Sequence, residues 1–228
     1  MNDSPLGGIE VCVFDAYGTL FDVHAAAAQC RDALGDRADT MSTIWRDKQL
    51  QYTWLRTLMH RYVDFWQVTG DALDFALERV GIDDAALRDR LMDIYRTLSA
   101  YPEVPRMLER LRDAGMKTAI LSNGAPSMLD SAVDNAGISG LLDAVLSVEA
   151  LGVYKPDPRV YQMASDHFRV APPAVCFLSS NAWDISGAAT FGFSAVWVNR
   201  TGQPAERLPG TPVAQLTSLE TLPELLNL

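Results

Sequence analysis

From residue 102 onward the chain alternates helix-like and strand-like segments, and a parallel sheet wrapped by helices is the architecture that accommodates such a run. A helix over 104–114 stops at Gly115 and a strand over 117–121 follows. The rhythm continues with a helix over 126–136 closed by Gly137, a strand over 144–147 and a helix over 158–168. A strand over 174–178, a helix over 184–191 and a strand over 194–198 complete it. Short apolar runs between helical segments read as parallel strands buried on both faces. The run over 9–14 adds a strand before this series, with Glu10 near its exposed start. The last stretch carries Pro204, Pro209, Pro212 and Pro223 and reads as loop, ending in a short helix over 218–226. With 228 residues, 48% of them hydrophobic and 21% charged, the chain is long enough for one large core plus an inserted module.

The insertion follows the first strand. After Leu20 the pattern stays helical to about residue 99, too long for a single crossover between neighbouring strands. Residues 41–62 place Ile44, Trp45, Leu55, Leu58, Met59 and Tyr62 on a wide apolar stripe. Thr69 is the expected cap of the next helix, which ends at Gly81, and Asp83 of the one after it, which carries Leu87, Leu91, Ile94 and Leu98. The expected fold is therefore α/β: a Rossmann-like parallel sheet core, residues 1–19 and 100–228, with an inserted four-helix-bundle cap, residues 20–99.

Several strand-like runs end in polar residues. Asp15 follows the first, Ser122-Asn123-Gly124 a second and Ser179-Ser180-Asn181 another, while a further loop holds Tyr154-Lys155-Pro156. Parallel strands bring their carboxyl ends to one edge, so these residues converge with Asp184 although they are far apart in the chain. Each alone has a plainer reading: Asp15 as a turn residue, Ser122 or Asp184 as a helix cap, Lys155 as a solvated cation. Their recurrence at matching strand ends argues for a site. A carboxylate leaving a buried strand into the crevice suits a nucleophile, and Tyr17 stands where a phosphoryl-transfer enzyme of this pattern keeps a second carboxylate.

The stretches Phe14-Asp15-Ala16-Tyr17-Gly18-Thr19-Leu20, Leu121-Ser122-Asn123-Gly124, Lys155-Pro156 and Ser179-Ser180-Asn181 resemble the ordered motifs of the haloacid dehalogenase superfamily, and specifically of the L-2-haloacid dehalogenases. Trp45-Arg46, Lys48-Gln49-Leu50 and Tyr52-Thr53-Trp54-Leu55-Arg56 are similar to the cap segment of that narrower family. The resemblance covers nearly the whole chain. It implies hydrolysis of short L-2-haloalkanoic acids to D-2-hydroxy acids and halide through an ester on Asp15. Lys155 would keep Asp15 ionised, Thr19 and Ser122 would add hydroxyl donors, and backbone N–H groups after Asp15 and Ser122 would receive the substrate carboxylate. Asp184 and Asn181 would activate and position water, supported by Ser179 and Tyr161. Arg46, Asn123 and the ring edge of Trp183 would cradle the departing halide. Tyr17 would contribute to substrate binding, with Leu50 and Phe65 as an apolar wall. The family segment usually has Gln where this chain has Asp47, next to Arg46; facing the pocket, Asp47 would weaken anion binding, and facing solvent it would do nothing. The resemblance further implies a homodimer and no cofactor.

Two other readings compete. A magnesium-dependent phosphatase would share the fold, but with Tyr17 in place of a carboxylate only Asp15 and Asp184 remain as ligands, and no metal is expected. A non-catalytic module would use Trp45, Trp54, Tyr62 and Trp66 as a partner surface. The histidines His24, His60 and His167 have no ligand spacing. A net charge of −10 argues against nucleic acid. Cys12, Cys30 and Cys176 are odd in number, two of them in strand-like runs, which suggests reduced thiols. No basic residue precedes Arg31 and no apolar run is long enough to span a membrane, so a cytoplasmic protein is expected.

Overall fold

The structure, a computed structural model, describes residues 6–23 and 25–228, so His24 lies outside the described residues. Six strands, β1 (Val11–Phe14), β2 (Lys117–Ser122), β3 (Ala144–Ser147), β4 (Val175–Ser179), β5 (Ser194–Val198) and β6 (Ala214–Leu216), form one sheet. Their order is β3-β2-β1-β4-β5-β6, and every pairing is parallel. The chain winds outward from β1 through β2 and β3, then returns to the other side of β1 through β4, β5 and β6. The crevice at the carboxyl ends of β1 and β4 is therefore the topological switch point.

Burial follows position in the sheet. β1 and β4 are buried throughout, while the edge strands β3 and β6 are partly open, which corrects the expectation that every strand is covered on both faces. β6 was expected to be loop: three residues just after Pro212 present too little apolar pattern, and their pairing with β5 decides their conformation. Glu10 is exposed just ahead of β1, with its N–H donating to Ala174 O at 2.9 Å. Cys12 and Cys176 face each other in register on β1 and β4, buried and unpaired like Cys30.

Helices α6 (Val104–Asp113), α7 (Pro126–Asn135), α8 (Pro158–Phe168), α9 (Ala182–Phe191) and α10 (Leu222–Leu225) belong to the core. α6 buries Val104, Met107, Leu108 and Leu111, the spacing of one helical face. Proline at the start of α7 and α8 costs no hydrogen bond, because the first N–H groups of a helix have no internal partner.

The insertion contains α1 (Ala25–Gln29), α2 (Arg31–Leu34), α3 (Ala38–Leu58), α4 (Phe65–Arg79) and α5 (Ala85–Arg96). Three long helices and two short ones thus replace the expected four. Thr69 does not cap α4. Asp64 does, accepting from Gln67 N at 2.8 Å, and Gln67 three residues on completes the sequence signature of a capping box. Thr69 lies inside α4 and ties it to α3: its hydroxyl accepts from Gln49 Nε2 at 3.0 Å and its carbonyl from Trp45 Nε1 at 2.9 Å. Asp84, not Asp83, caps α5 through Leu87 N at 2.9 Å, and Leu98 lies beyond that helix. The apolar stripe expected over 41–62 splits. Met41 and Trp45 are buried, whereas Leu55, Leu58 and Met59 are exposed, Leu58 by 75%.

The two crossings between sheet and insertion run side by side. Phe21 pairs with Ala100 in an antiparallel bridge, Asp22 N donates to Ser99 O at 3.1 Å and Tyr101 N to Leu20 O at 2.9 Å.

Candidate active site

Asp15 is the residue after β1, and its N–H donates to Leu178 O of β4 at 2.9 Å, so the strand pairing itself aims the side chain into the crevice. Its two oxygens are treated unequally. Oδ2 accepts from Thr19 Oγ1 at 3.1 Å, Ser179 Oγ at 3.3 Å and Asn181 Nδ2 at 2.9 Å. Oδ1 accepts from Lys155 Nζ at 3.1 Å. Ser180 N donates to Thr19 Oγ1 at 2.8 Å, which leaves the Thr19 hydroxyl hydrogen to point at Asp15 Oδ2 or at Ser180 Oγ, 3.3 Å away.

Lys155 joins the two carboxylates. Its side chain is 1% exposed, and Nζ also donates to Asp184 Oδ2 at 2.8 Å. Asn123 Oδ1 accepts the Lys155 N–H at 3.0 Å, and the Lys155–Pro156 peptide is cis. Burial alone would lower the lysine's pKa, but the neighbouring Asp15 and Asp184 more than offset it and raise it, so the ammonium stays charged. Asp184, fully buried in the first turn of α9, is raised above the ordinary Asp value by burial, with Lys155 opposing. Tyr161 OH donates to Asp184 Oδ1 at 2.8 Å. Burial pushes this phenol up, and the adjacent Asp184 adds to the shift, so it remains a donor. Gly187 on α9 makes the contact possible, because a Cβ there would overlap the Tyr161 hydroxyl.

The insertion supplies Arg46 from α3. Its Nη2 donates to Asn181 Oδ1 at 3.2 Å and to Tyr17 O at 3.4 Å, so the same amide that donates to Asp15 receives the guanidinium. Tyr17 is buried, stacked on Tyr95 with ring centroids 5.6 Å apart and tilted against Phe65 at 5.8 Å. Its ring lies over Gly124, where a Cβ would come within 2.8 Å of Tyr17 Cε2. Ser122 is buried at the end of β2, its Oγ accepting from Gly124 N at 3.0 Å, so its own hydrogen remains for another acceptor. Three amides expected to receive a substrate carboxylate are already engaged. Gly18 N donates to Phe21 O, Thr19 N to Ala16 O and Gly124 N to Ser122 Oγ, because the turns close on themselves.

An open cavity of about 550 Å³ is lined in part by Gly18, Arg46, Leu50, Asn181, Trp183 and Arg200; Asp15 and Lys155 are not on its wall, and Asn181, which donates to Asp15, connects the two. Trp183 meets Trp54 of the insertion edge to face at 5.4 Å. Asp47 is exposed and also on this wall, so it is both solvated and beside the approach to Arg46. Phe65 is buried in the aromatic cluster with Tyr17 and Tyr154 and does not line this cavity. Among the described residues no group of three or more His, Cys, Asp or Glu is arranged to hold a cation.

With that geometry in place, comparison with known proteins is specific. The haloacid dehalogenase-like hydrolase family matches residues 9–192. This chain belongs to that family. Among its relatives, (S)-2-haloacid dehalogenase 4A of Burkholderia cepacia is 49% identical over 219 residues, 96% of this chain and 95% of that one. (S)-2-haloacid dehalogenase 1 of Pseudomonas sp. (strain CBS-3) is 50% identical over 96% of both. The L-2-haloacid dehalogenase of Xanthobacter autotrophicus, solved with chloropropionic acid covalently bound, superposes with a TM-score of 0.89 at 38% identity, covering 96% of this chain and 98% of that one. The α/β fold with a helical cap is thus that of the haloacid dehalogenase-like hydrolases.

Sequence reasoning missed Tyr95, which stacks on Tyr17, and the residues at the end of β5. Trp197 Nε1 donates to Ser180 O at 3.1 Å, and Arg200 Nη2 to Thr19 O at 2.9 Å. The polar pair Asn199-Arg200 follows the strand-like run over 194–198 and is the signal that points to Arg200; Trp197, inside the strand, carries none.

Proposed function

We propose that the protein is a cofactor-independent (S)-2-haloacid dehalogenase that hydrolyses short L-2-haloalkanoic acids to D-2-hydroxy acids and halide. The observation that carries this reading is the single buried ammonium shared by Asp15 and Asp184. It bonds one carboxylate that can attack and one that can accept a proton, supplying a single positive charge between them. In the first step Asp15 Oδ1, which has one donor where Oδ2 has three, attacks C2 of the substrate from behind the halogen. The C–O bond forms as the carbon–halogen bond breaks, and configuration inverts.

Halide leaves toward Arg46, Asn123 and Trp183. An anion departing into an apolar pocket without a donor costs several kcal/mol, and the guanidinium of Arg46 supplies that donor. Ser122 directs its hydroxyl to the substrate carboxylate, and Tyr17 and Leu50 shape the apolar side, with Phe65 packed behind Tyr17. In the second step Asp184 takes a proton from water as the water attacks Cγ of Asp15. Thr19, Ser179 and Asn181 then stabilise the oxyanion on Oδ2, the arrangement electrostatic catalysis requires. Collapse of that intermediate transfers the Asp184 proton to the departing alkoxide, frees the hydroxy acid and restores Asp15, with the second water proton lost to solvent. Tyr161 holds Asp184 in place.

This division of labour assigns residues 1–19 and 100–228 to chemistry and 20–99 to a cap. The exposed Leu55 and Leu58 on α3, Met59 just after it and Phe75 on α4 support a homodimer joined through the cap. Three buried, unpaired cysteines support a reducing, cytoplasmic setting. No helix among the described residues is long and apolar enough to cross a membrane.

Halide release from L-2-chloropropionate tests the activity. The wild-type protein should release chloride from the L and not the D isomer, and Asp15→Asn should release none. Magnesium-stimulated phosphate release from a generic ester, with no chloride, would replace this reading by that of a phosphatase.

A further inference from the structure

The end of β5 carries a residue outside the reacting groups whose contacts converge on the nucleophile's turn. Arg200 extends over the ring of Tyr101, its Cζ 3.7 Å from the ring centroid. Nη1 donates to Glu103 Oε1 at 2.6 Å, and both side chains are only about one-sixth exposed, at 15% and 16%. Nη2 donates to the carbonyl of Thr19 at 2.9 Å. The loop that presents Arg200 is itself closed by Asn199, whose side chain donates to Gln203 O at 2.9 Å and accepts from Gln203 N at 2.8 Å. Burial alone would push the Glu103 carboxyl up, yet its own backbone N–H and Arg200 hold it below the ordinary Glu value, so the ion pair persists at neutral pH.

These contacts fall on both sides of the double crossing. Thr19 lies just before the chain leaves the core at Phe21, and Tyr101 and Glu103 lie just after it returns at Ala100. Thr19 also donates to Asp15 Oδ2. We propose that Arg200 is a positioning residue that fixes the Thr19 turn against the returning segment ahead of α6, and so sets the Thr19 hydroxyl on Asp15. The proposal rests on the dehalogenase reading for its kinetic consequence, not for its geometry. A planar guanidinium serves two acceptors and a ring face at once, which a lysine at the same position cannot do.

The test is a double-mutant cycle. Arg200 also lines the cavity beside Arg46 and Asn181, so the readout is kcat and not KM: well below its unfolding temperature, Arg200→Met should lower kcat about tenfold, since it disturbs a contact to the reacting carboxylate. Arg200→Lys should restore part of the loss. In a Thr19→Ala background the same Arg200→Met change should alter kcat less than about twofold, because no hydroxyl remains to be placed. An unchanged kcat, or an undiminished tenfold loss in the Thr19→Ala background, would overturn the proposal. Should Arg200→Met not fold, Glu103→Gln enters the same cycle: a kcat loss that disappears with Thr19→Ala supports the clamp, and no loss refutes it. Amide exchange gives a readout independent of turnover. Arg200→Met should accelerate exchange at Ser180, whose N–H is held by Thr19 Oγ1, and leave the β5 amides unchanged; unaltered Ser180 exchange counts against the clamp even if the wild-type protein releases no halide.

Discussion

The sheet edge and the cap hold the same site by different physics. At the sheet edge Asp15, Lys155 and Asp184 are nearly or wholly buried and joined by direct hydrogen bonds: Asp15 is placed by the pairing of β1 with β4, Asp184 by the first turn of α9, and Lys155 by a loop whose N–H is held by Asn123. The cap meets the site mainly through rings, Trp54 on Trp183 and Phe65 on Tyr17, with Arg46 as its charged contact to the core amide. Buried, mutually dependent charges tolerate little displacement, whereas ring contacts slide at small cost. On the proposed mechanism the difference places bond making in the half tied by buried charges, and leaving-group capture in the half held by ring contacts.

The largest effect should come from breaking the core triad. Lys155→Met leaves two buried carboxylates without their counter-charge, which should lower stability by about 3–5 kcal/mol and kcat by on the order of a thousandfold, read by urea unfolding and by chloride release. A milder loss should follow Arg46→Leu: about a hundredfold in kcat, with the unfolding midpoint nearly unchanged because the side chain is only half buried. If Arg46→Leu proved as destabilising as Lys155→Met, the contrast between rigid core and adjustable cap would fail.

The pH response sharpens the same contrast, because the shifted carboxyl of Asp184 belongs to the core. Burial raises the Asp184 carboxyl, so from this group alone stability is greatest below the ordinary Asp pKa and declines as pH rises to the folded value. Activity runs the other way, since the base must be ionised: kcat should fall as pH drops through the raised Asp184 value, with the same midpoint in Arg46→Leu. A midpoint that moved in Arg46→Leu would assign the limb to the cap. The smallest catalytic effect belongs to the cap's outer face. Leu58→Glu should weaken dimerisation by about tenfold or more while kcat per chain stays unchanged, as light scattering and turnover on one sample would report.

How much of this was legible in the sequence follows the same division. Strand ends were readable because a buried run that stops at Asp15, Ser122 or Ser179 leaves a polar residue at the sheet's edge, and parallel pairing brings such edges together without further information. The cap was readable as helical but not in detail. Thr69 has the chemistry of a cap yet is drawn into the α3–α4 seam by Gln49 and Trp45, while Asp64 takes the capping role; local propensity lost to packing. The exposed Leu55, Leu58 and Met59 could not be told from core by spacing, since an exposed apolar stripe has the same period as one that faces the interior. β6 is too short for any pattern, and the Arg200 contacts depend on where a loop carries a side chain after its strand ends.

The central claim is that Asp15 bonds to carbon and is freed by attack at its own carbonyl. A single turnover of L-2-chloropropionate with excess enzyme in heavy-oxygen water tests it most directly, by mass spectrometry of both the product and the peptide that contains Asp15. The account predicts heavy oxygen in Asp15 and an unlabelled D-2-hydroxy acid. Label in the hydroxy acid after that first turnover, with none in the protein, would mean that water attacks the substrate itself and would contradict it.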